Sequence, residues 1–298
     1  MYFIPQNKNF GGFLFVIYQY KIYNISIILI KDNFMDKKIS ASIFHQLYQP
    51  KISSNKRQNG CLLIIAGSDK YHGSLIYALK TASRVVGLIY ILSTKDNQTL
   101  VMKLKEKTAE FIPVSKIGEV KTDAILVGPG LGQSPKTYRL VKQVLDSGSK
   151  AILDADALNV LDDKLKAKLD SHHILTPHHG EFKKVFELTP TAINLQAMAK
   201  RYHCCIALKG ETDLIADPEG NLITYKISNA GMAKGGSGDV LSGLMAALFC
   251  KNSASLSAQA ALFATDRASH ELFKTRRHFY NSEDLCDQLP QTLAKLIK

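Results

Sequence analysis

The chain has 298 residues, 46% of them apolar, which supplies core for one large domain or two small ones and excludes a wholly disordered polymer. Its formal charge is +12, but the basic residues are scattered and no zinc-finger spacing, RRM signature or basic heptad accompanies them, so the charge suits anionic small molecules better than nucleic acid. The five cysteines, Cys61, Cys204, Cys205, Cys250 and Cys286, contain no C-x-x-C, which argues against a disulfide framework or zinc site and for reduced thiols in a cytoplasmic protein.

Residues 1–34 differ in character from the rest of the chain. The stretch 10–30 is apolar, aromatic and near membrane-span length, but Gln19, Lys21 and Asn24 interrupt it and it divides into two β-type runs. No small-residue cleavage site comes after it. It reads as a poorly ordered extension, or the product of a start codon assigned too early, with a membrane anchor as the alternative. The domain is expected over 35–298, with 51–59 as a polar lead-in.

From Gly60 strands and helices alternate. A buried strand is expected at 61–66, a loop at 67–74, a helix to about Val86, a strand at 88–92, a helix at 96–107 and a short strand at 111–114. The strand at 124–127 ends in Gly128-Pro129-Gly130-Leu131-Gly132, and a helix comes next at 137–145. The strand at 151–153 ends in Asp154-Ala155-Asp156-Ala157-Leu158-Asn159, and the strand at 174–175 in Thr176-Pro177-His178-His179-Gly180-Glu181-Phe182. A helical pair runs to Tyr202; the strand at 204–208 ends in Lys209-Gly210; strands at 214–216 and 222–225 flank a hairpin turn. This order predicts an α/β fold, a mostly parallel sheet with helices on both faces. In such sheets ligands sit beyond the carboxyl ends of the strands, so these loops should meet around one cleft.

The stretch Gly231-Met232-Ala233-Lys234-Gly235-Gly236-Ser237-Gly238-Asp239 completes the cleft and leads into an apolar helix at 239–250. Glycines let the backbone turn sharply and approach a ligand, and the helix N-terminus behind them offers free N–H groups to an anion, usually phosphate. Asp239 is anomalous there, because a carboxylate repels phosphate. It is either a helix cap or a general base acting on a neutral hydroxyl beside the phosphate. Neither a dinucleotide fingerprint nor a P-loop is present. Asp154 can approach a magnesium-phosphate or a sugar hydroxyl, whereas Asp156 reads as a helix cap. His178 and His179 lack a third metal ligand, so a hydrogen-bonding role is expected for His178. Glu181 orients phosphate-bound magnesium through water or caps a helix, and Asn159 can reach the cleft. His172 and His173 read as solvated linker residues.

Taken together and in this order, these motifs resemble the NAD(P)H-hydrate dehydratase family of the ribokinase-like superfamily, over about residues 60–298. The resemblance implies a ribokinase-like three-layer sandwich. It implies repair of NADHX and NADPHX, in which water has added across the nicotinamide ring, with ADP (the more expected donor) or ATP as co-substrate and magnesium on its phosphates. The hydrate hydroxyl is phosphorylated and phosphate is then eliminated. Asp239 matches the family's acidic residue, the general base, while the backbone of Gly236, Ser237 and Gly238 forms an anion hole. Ser74, Gly130, His178 and Asp239 match positions that contact the hydrate. Lys209, Gly210, Glu211, Thr212, Asp213 and Gly238 match the nucleotide segment. Lys234, Gly235, Asn159 and Glu181 form a phosphate or magnesium shell, and no protein side chain is a direct metal ligand. Ser74 stands where the family commonly has alanine, His179 where it has proline, and Asp213 where it often has threonine. Relatives often carry an N-terminal epimerase domain, for which 1–59 is too short. A homo-oligomer is expected by resemblance only. The nearest rival is a vitamin or sugar kinase of the same superfamily; an idle nucleotide-binding protein and a nucleic-acid binder are more distant ones.

Overall fold

The computed structural model describes residues 37–93, 98–104, 110–226 and 229–297. The extension assigned to 1–34 lies outside them, as do both ends of the helix expected at 96–107. Among the described residues ten strands form a single sheet: β1 (Lys37–Lys38), β2 (Cys61–Ile65), β3 (Leu88–Leu92), β4 (Ile112–Pro113), β5 (Ala124–Val127), β6 (Ala151–Leu153), β7 (His173–Leu175), β8 (Cys205–Leu208), β9 (Thr212–Ala216) and β10 (Leu222–Lys226). Their order is β1-β10-β9-β8-β7-β6-β5-β2-β3-β4. All pairs from β8 to β4 are parallel. β9 lies antiparallel between β8 and β10, as the hairpin signal predicts.

The central strands are apolar on both faces, which is why they show no polar alternation in the sequence. Leu62, Ile64 and Ala66 enter one core, while Cys61, Leu63 and Ile65 enter the other. The first core is closed by α1 (His72–Ala82), α2 (Gln98–Leu104), α8 (Ser237–Phe249), α9 (Ala254–Arg276) and α10 (Ser282–Leu296). The second lies under α3 (Pro135–Asp146), α4 (Asp156–Asn159), α5 (Asp163–Lys166), α6 (His179–Phe186) and α7 (Ala192–Tyr202). The result is a helix–sheet–helix sandwich. All five cysteines are free and buried. No helix among the described residues is long and apolar enough to cross a membrane.

Two features of this framework place the site. Chain order reverses where β5 meets β2, and the loops after these strands are tied together there, Gly67 N donating to Pro129 O at 2.8 Å. α8 is buried from Val240 to Phe249, and a Cβ on its Gly243 would stand 2.7 Å from Ala78 Cα and O. α1 and α8 therefore touch backbone to backbone, and their first turns, carrying Ser74 and Asp239, open beside each other.

Several expectations need correction. α1 stops at Ala82 rather than near Val86. The short helices α4 and α5 and the strand β1 have no periodic signal, since each is four residues or fewer. His173 is not a solvated linker residue: β7 begins with it and it is 1% exposed, while His172 remains at the surface. Its Nδ1 accepts from Asp170 N at 3.0 Å and its Nε2 has no hydrogen-bond partner among the described residues. Burial pushes its pKa down, so the ring is held neutral.

Candidate active site

The glycine stretch turns on one residue. Gly236 has φ +94°, and a Cβ there would stand 2.6 Å from the Tyr77 ring and 2.9 Å from Ser282 Oγ. Gly235 has open space at the same position. Gly236 is also the N-cap of α8, so no side-chain oxygen covers the first turn from that position. Asp239 sits in that turn without serving as its cap. Its pKa is pushed up to about 6, by burial first and by the nearby Asp154 carboxylate next. A hydrogen bond from Ser74 and the charge of Lys209 pull the other way. Ser237 Oγ donates to Met232 O (2.7 Å) and Lys234 O (2.9 Å), so its hydroxyl shapes the loop. Lys234, expected in the phosphate shell, is placed differently: its Nζ donates to His278 O (2.7 Å) and to Tyr280 O. Its charge ties the loop to the α9–α10 connection. Gly235 contributes its carbonyl to Ser282 Oγ at 2.8 Å.

Below the loop lies a buried charge cluster built from three adjacent strand ends. Asp154, after β6, is 2% exposed and accepts from Thr176 Oγ1 (2.8 Å), just past the end of β7, and from Lys209 Nζ (2.8 Å), just past the end of β8. Lys209 Nζ lies 3.9 Å from the position of a Cβ on Gly238. Burial pushes the Lys209 pKa down, but Asp154, Glu181 and Asp239 outweigh it and the net shift is upward, so the ammonium stays charged. Asp154 is expected from its place after a strand to face a ligand; its oxygen is instead occupied by Lys209 and Thr176.

On the other side of Asp239, Gly130 (φ +66°) approaches α1 so closely that a Cβ would lie 3.0 Å from Ser74 Oγ. His178 caps α6. Its Nδ1 accepts from Gly180 N (3.0 Å) and Glu181 N (3.2 Å), and Glu181 Oε2 accepts from His178 N (2.9 Å). Capping therefore fixes the imidazole with Nε2 as its donor edge, 3.6 Å from Glu181 Oε1. Of the two roles open for Glu181, the cap is the one the geometry fills. Asn159 faces Lys184, its Oδ1 accepting from Lys184 Nζ at 2.9 Å. Asp156 does not cap α4: its Oδ2 accepts from Gly132 N at 2.7 Å and bridges the loops after β5 and β6.

A cavity of about 650 Å³ opens beside the glycine loop, with Ser237, Gly238, Lys209, Gly210 and Glu211 at one side and Asp213 and Asp266 also in its wall. Thr212 is exposed and outside that wall. Asp213 is 3% exposed and accepts from Gly210 N at 2.9 Å. Burial first, and the Asp266 charge next, push its pKa up to about 7. A raised carboxyl pKa means the folded state resists ionisation, so the cost is present above about 7 and absent below 3.8. Asp213→Asn is expected to raise the Tm of the nucleotide-free protein at pH 8, by an amount equivalent to about 2–4 kcal/mol, with little change at pH 4. Thermal melts at the two pH values check this. Equal shifts at both would assign the effect to packing instead. Thr265 and Asp266 in α9 are missed at the sequence level; the available signal is a Thr-Asp pair inside an otherwise small and apolar helical run.

The NAD(P)H-hydrate dehydratase family profile matches residues 62–291. A bifunctional NAD(P)H-hydrate repair enzyme of Methanocaldococcus jannaschii is 34% identical over 258 residues, covering 81% of this chain and 49% of that protein. The chain thus spans about half the length of the first curated relatives it matches. An ADP-dependent (S)-NAD(P)H-hydrate dehydratase of Nitrosopumilus maritimus is 31% identical, with 83% of this chain and 93% of that protein covered. Among solved structures, an ADP/ATP-dependent NAD(P)H-hydrate dehydratase of Bacillus subtilis, co-crystallised with ATP and magnesium, superposes with TM-score 0.75 at 23% identity, over 88% of this chain and 99% of that one. The sandwich is the ribokinase-like fold. On these grounds the chain belongs to the NAD(P)H-hydrate dehydratase family.

Proposed function

We propose that the domain at 35–298 restores NADH and NADPH from their hydrates, NADHX and NADPHX, with ADP as the preferred phosphoryl donor and ATP as the alternative. The observation that carries this reading is Asp239, a carboxylate with pKa about 6 beside an uncapped glycine turn and the half-buried Lys209 ammonium. Such a group is largely ionised at neutral pH yet basic enough to take a hydroxyl proton, which suits a general base. The hydrate's ring hydroxyl attacks the donor's terminal phosphorus as Asp239 removes its proton. The Gly236, Ser237 and Gly238 backbone and Lys209 meet the charge on the moving phosphoryl group. Phosphate then leaves from the ring carbon, assisted by the ring nitrogen, and loss of a neighbouring ring proton regenerates the double bond.

Ser74, Gly130 and His178 are proposed to hold the hydrate on the α1 side of Asp239, and Lys209, Gly210, Glu211, Asp213 and Gly238 the nucleotide in the cavity. Among the described residues no three His, Cys, Asp or Glu side chains form a metal cage, and Glu181 is engaged in capping. We assign magnesium, which accompanies ATP in the co-crystallised Bacillus subtilis relative, to the nucleotide's phosphates, where it would supply charge neutralisation. A homo-oligomer accompanies this reading by resemblance, and a cytoplasmic location by the reduced thiols that the cysteine spacing argues for.

The test mixes the purified chain with NADHX, magnesium and either ADP or ATP. Recovery of NADH absorbance with stoichiometric phosphate release is expected, faster with ADP. A folded, nucleotide-binding protein that recovers no NADH with either would overturn the reading in favour of a small-molecule kinase, whose mark is a stable phosphorylated product.

A further inference from the structure

The cluster of Asp154, Thr176 and Lys209 lies directly under the glycine turn, and Asp154, whose place after a strand reads as facing a ligand, faces Thr176 and Lys209 instead. Three consecutive parallel strands each deliver one member at their carboxyl ends, and Asp154 receives both of its bonds at 2.8 Å. Asp154 and Thr176 are 2% and 1% exposed, so neither meets solvent. The lysine side chain is 21% exposed, with its ammonium close to Gly238 and within the wall of the nucleotide cavity. A buried carboxylate is costly unless paired, and a lysine on a flexible stem is poorly placed unless held. Each residue supplies what the other lacks.

Resting on the dehydratase reading, we infer that Asp154, itself fixed by Thr176, is the positioning residue that holds Lys209 under the glycine turn, where its ammonium meets the phosphoryl group in transit. In that step the hydrate oxygen forms its bond to phosphorus and the bond to the donor's bridging oxygen breaks. The electron pair leaves with the nucleotide, and the hydroxyl proton goes to Asp239. Lys209 transfers nothing: it offsets negative charge on the phosphoryl oxygens. Without Asp154 the ammonium is free to swing into the nucleotide cavity.

The pair also acts on the base from opposite directions. Facing Asp239 are Ser74 from α1, Asp154 from the end of β6 and Lys209 from the end of β8, while Glu181 of α6 faces Lys209. Removing the Asp154 charge makes Asp239 easier to ionise, and removing the Lys209 charge makes it harder.

The experiment compares the full chain with D154N, K209M and the double variant. It measures the pH profile of kcat/KM for NADHX at saturating ADP and magnesium, the KM for ADP, and the Asp239 titration by carboxyl NMR in the resting protein. D154N is expected to move the acid limb and the NMR midpoint to lower pH by about half a unit or more, and K209M to higher pH by a similar amount. Plateau kcat is expected to fall ~10-fold in D154N and ~100-fold in K209M, with the KM for ADP changing less than either. Should K209M alone fail to fold, the double variant, which buries no unpaired charge, is expected to keep the K209M loss of kcat with its acid limb near the wild-type position. Limbs that stay put or move together, or a loss confined to the KM for ADP, would overturn the inference. An inactive wild type would count against the dehydratase reading, and the NMR midpoints would still decide the placement of the charges.

Discussion

Asp239→Asn is expected to lower kcat by ~10³-fold or more while leaving ADP affinity within about threefold of wild type. Asparagine has nearly the same shape and can still accept from Ser74, but it cannot accept a proton from the hydrate. The substitution should not unfold the protein. The ionised form of a carboxyl with pKa pushed up to about 6 is disfavoured in the fold, and this cost is fully present above that pH and absent below 3.8. Asp239→Asn should therefore raise the Tm at pH 8 and leave it nearly unchanged at pH 4, while activity disappears. In the wild type the same group predicts an acid limb in kcat/KM near pH 6 that the variant's residual rate lacks. Calorimetric titration with ADP and a stopped assay for NADH recovery check the two halves. A folded variant that no longer binds ADP would make Asp239 part of the nucleotide shell and remove it from proton transfer.

The contrast between Asp239 and Lys234 shows what a sequence can disclose here. The alternation of apolar runs with helical stretches is enough to place β2, β3, β5 and β6 within a residue, because strands buried on both faces carry no polar residue to blur their ends. The loops at the strand ends are legible for the same reason, since each begins where the apolar run stops. What a side chain does inside a loop depends on which other loop faces it. Lys234 beside three glycines reads as a phosphate ligand, but the carbonyls of His278 and Tyr280, some 45 residues on, take its ammonium. Asp156 reads as a cap from local spacing alone, yet a backbone N–H at Gly132, in the loop after the neighbouring strand, claims it. Asp154 and Lys209 are 55 positions apart and no periodicity links them. His173 is misread by a single residue of strand boundary: all three residues of β7 are buried, so the residue that begins the strand is core while His172 just before it is at the surface.

Gly236→Ala should be strongly damaging, and Gly235→Ala next to it nearly silent for stability. At Gly236 two independent costs coincide. A φ of +94° is strained for any residue with a Cβ, and that Cβ would press into the Tyr77 ring at 2.6 Å and Ser282 Oγ at 2.9 Å. Tyr77 belongs to α1, which is already in backbone contact with α8 through Gly243, and its half-buried ring packs against the core. Ser282 is held by its bond to Gly235 O. The loop itself must therefore move, and with it the first-turn N–H groups that would meet the phosphoryl oxygens. A loss of about 2–4 kcal/mol in stability is expected, together with a fall of ~10²–10³ in kcat from displacement of the proposed anion hole. At Gly235 φ is not positive and no atom of the described residues outside its chain neighbours lies within 4 Å of a new Cβ, so Gly235→Ala should stay within about 0.5 kcal/mol of wild type. Chemical denaturation of both variants, followed by the NADH-recovery assay on Gly236→Ala at a temperature where it remains folded, separates the structural loss from the catalytic one. A stable Gly236→Ala protein with unimpaired kcat would mean that the turn can relax without disturbing the N-terminus of α8, and the anion hole would then have to be sought away from this loop.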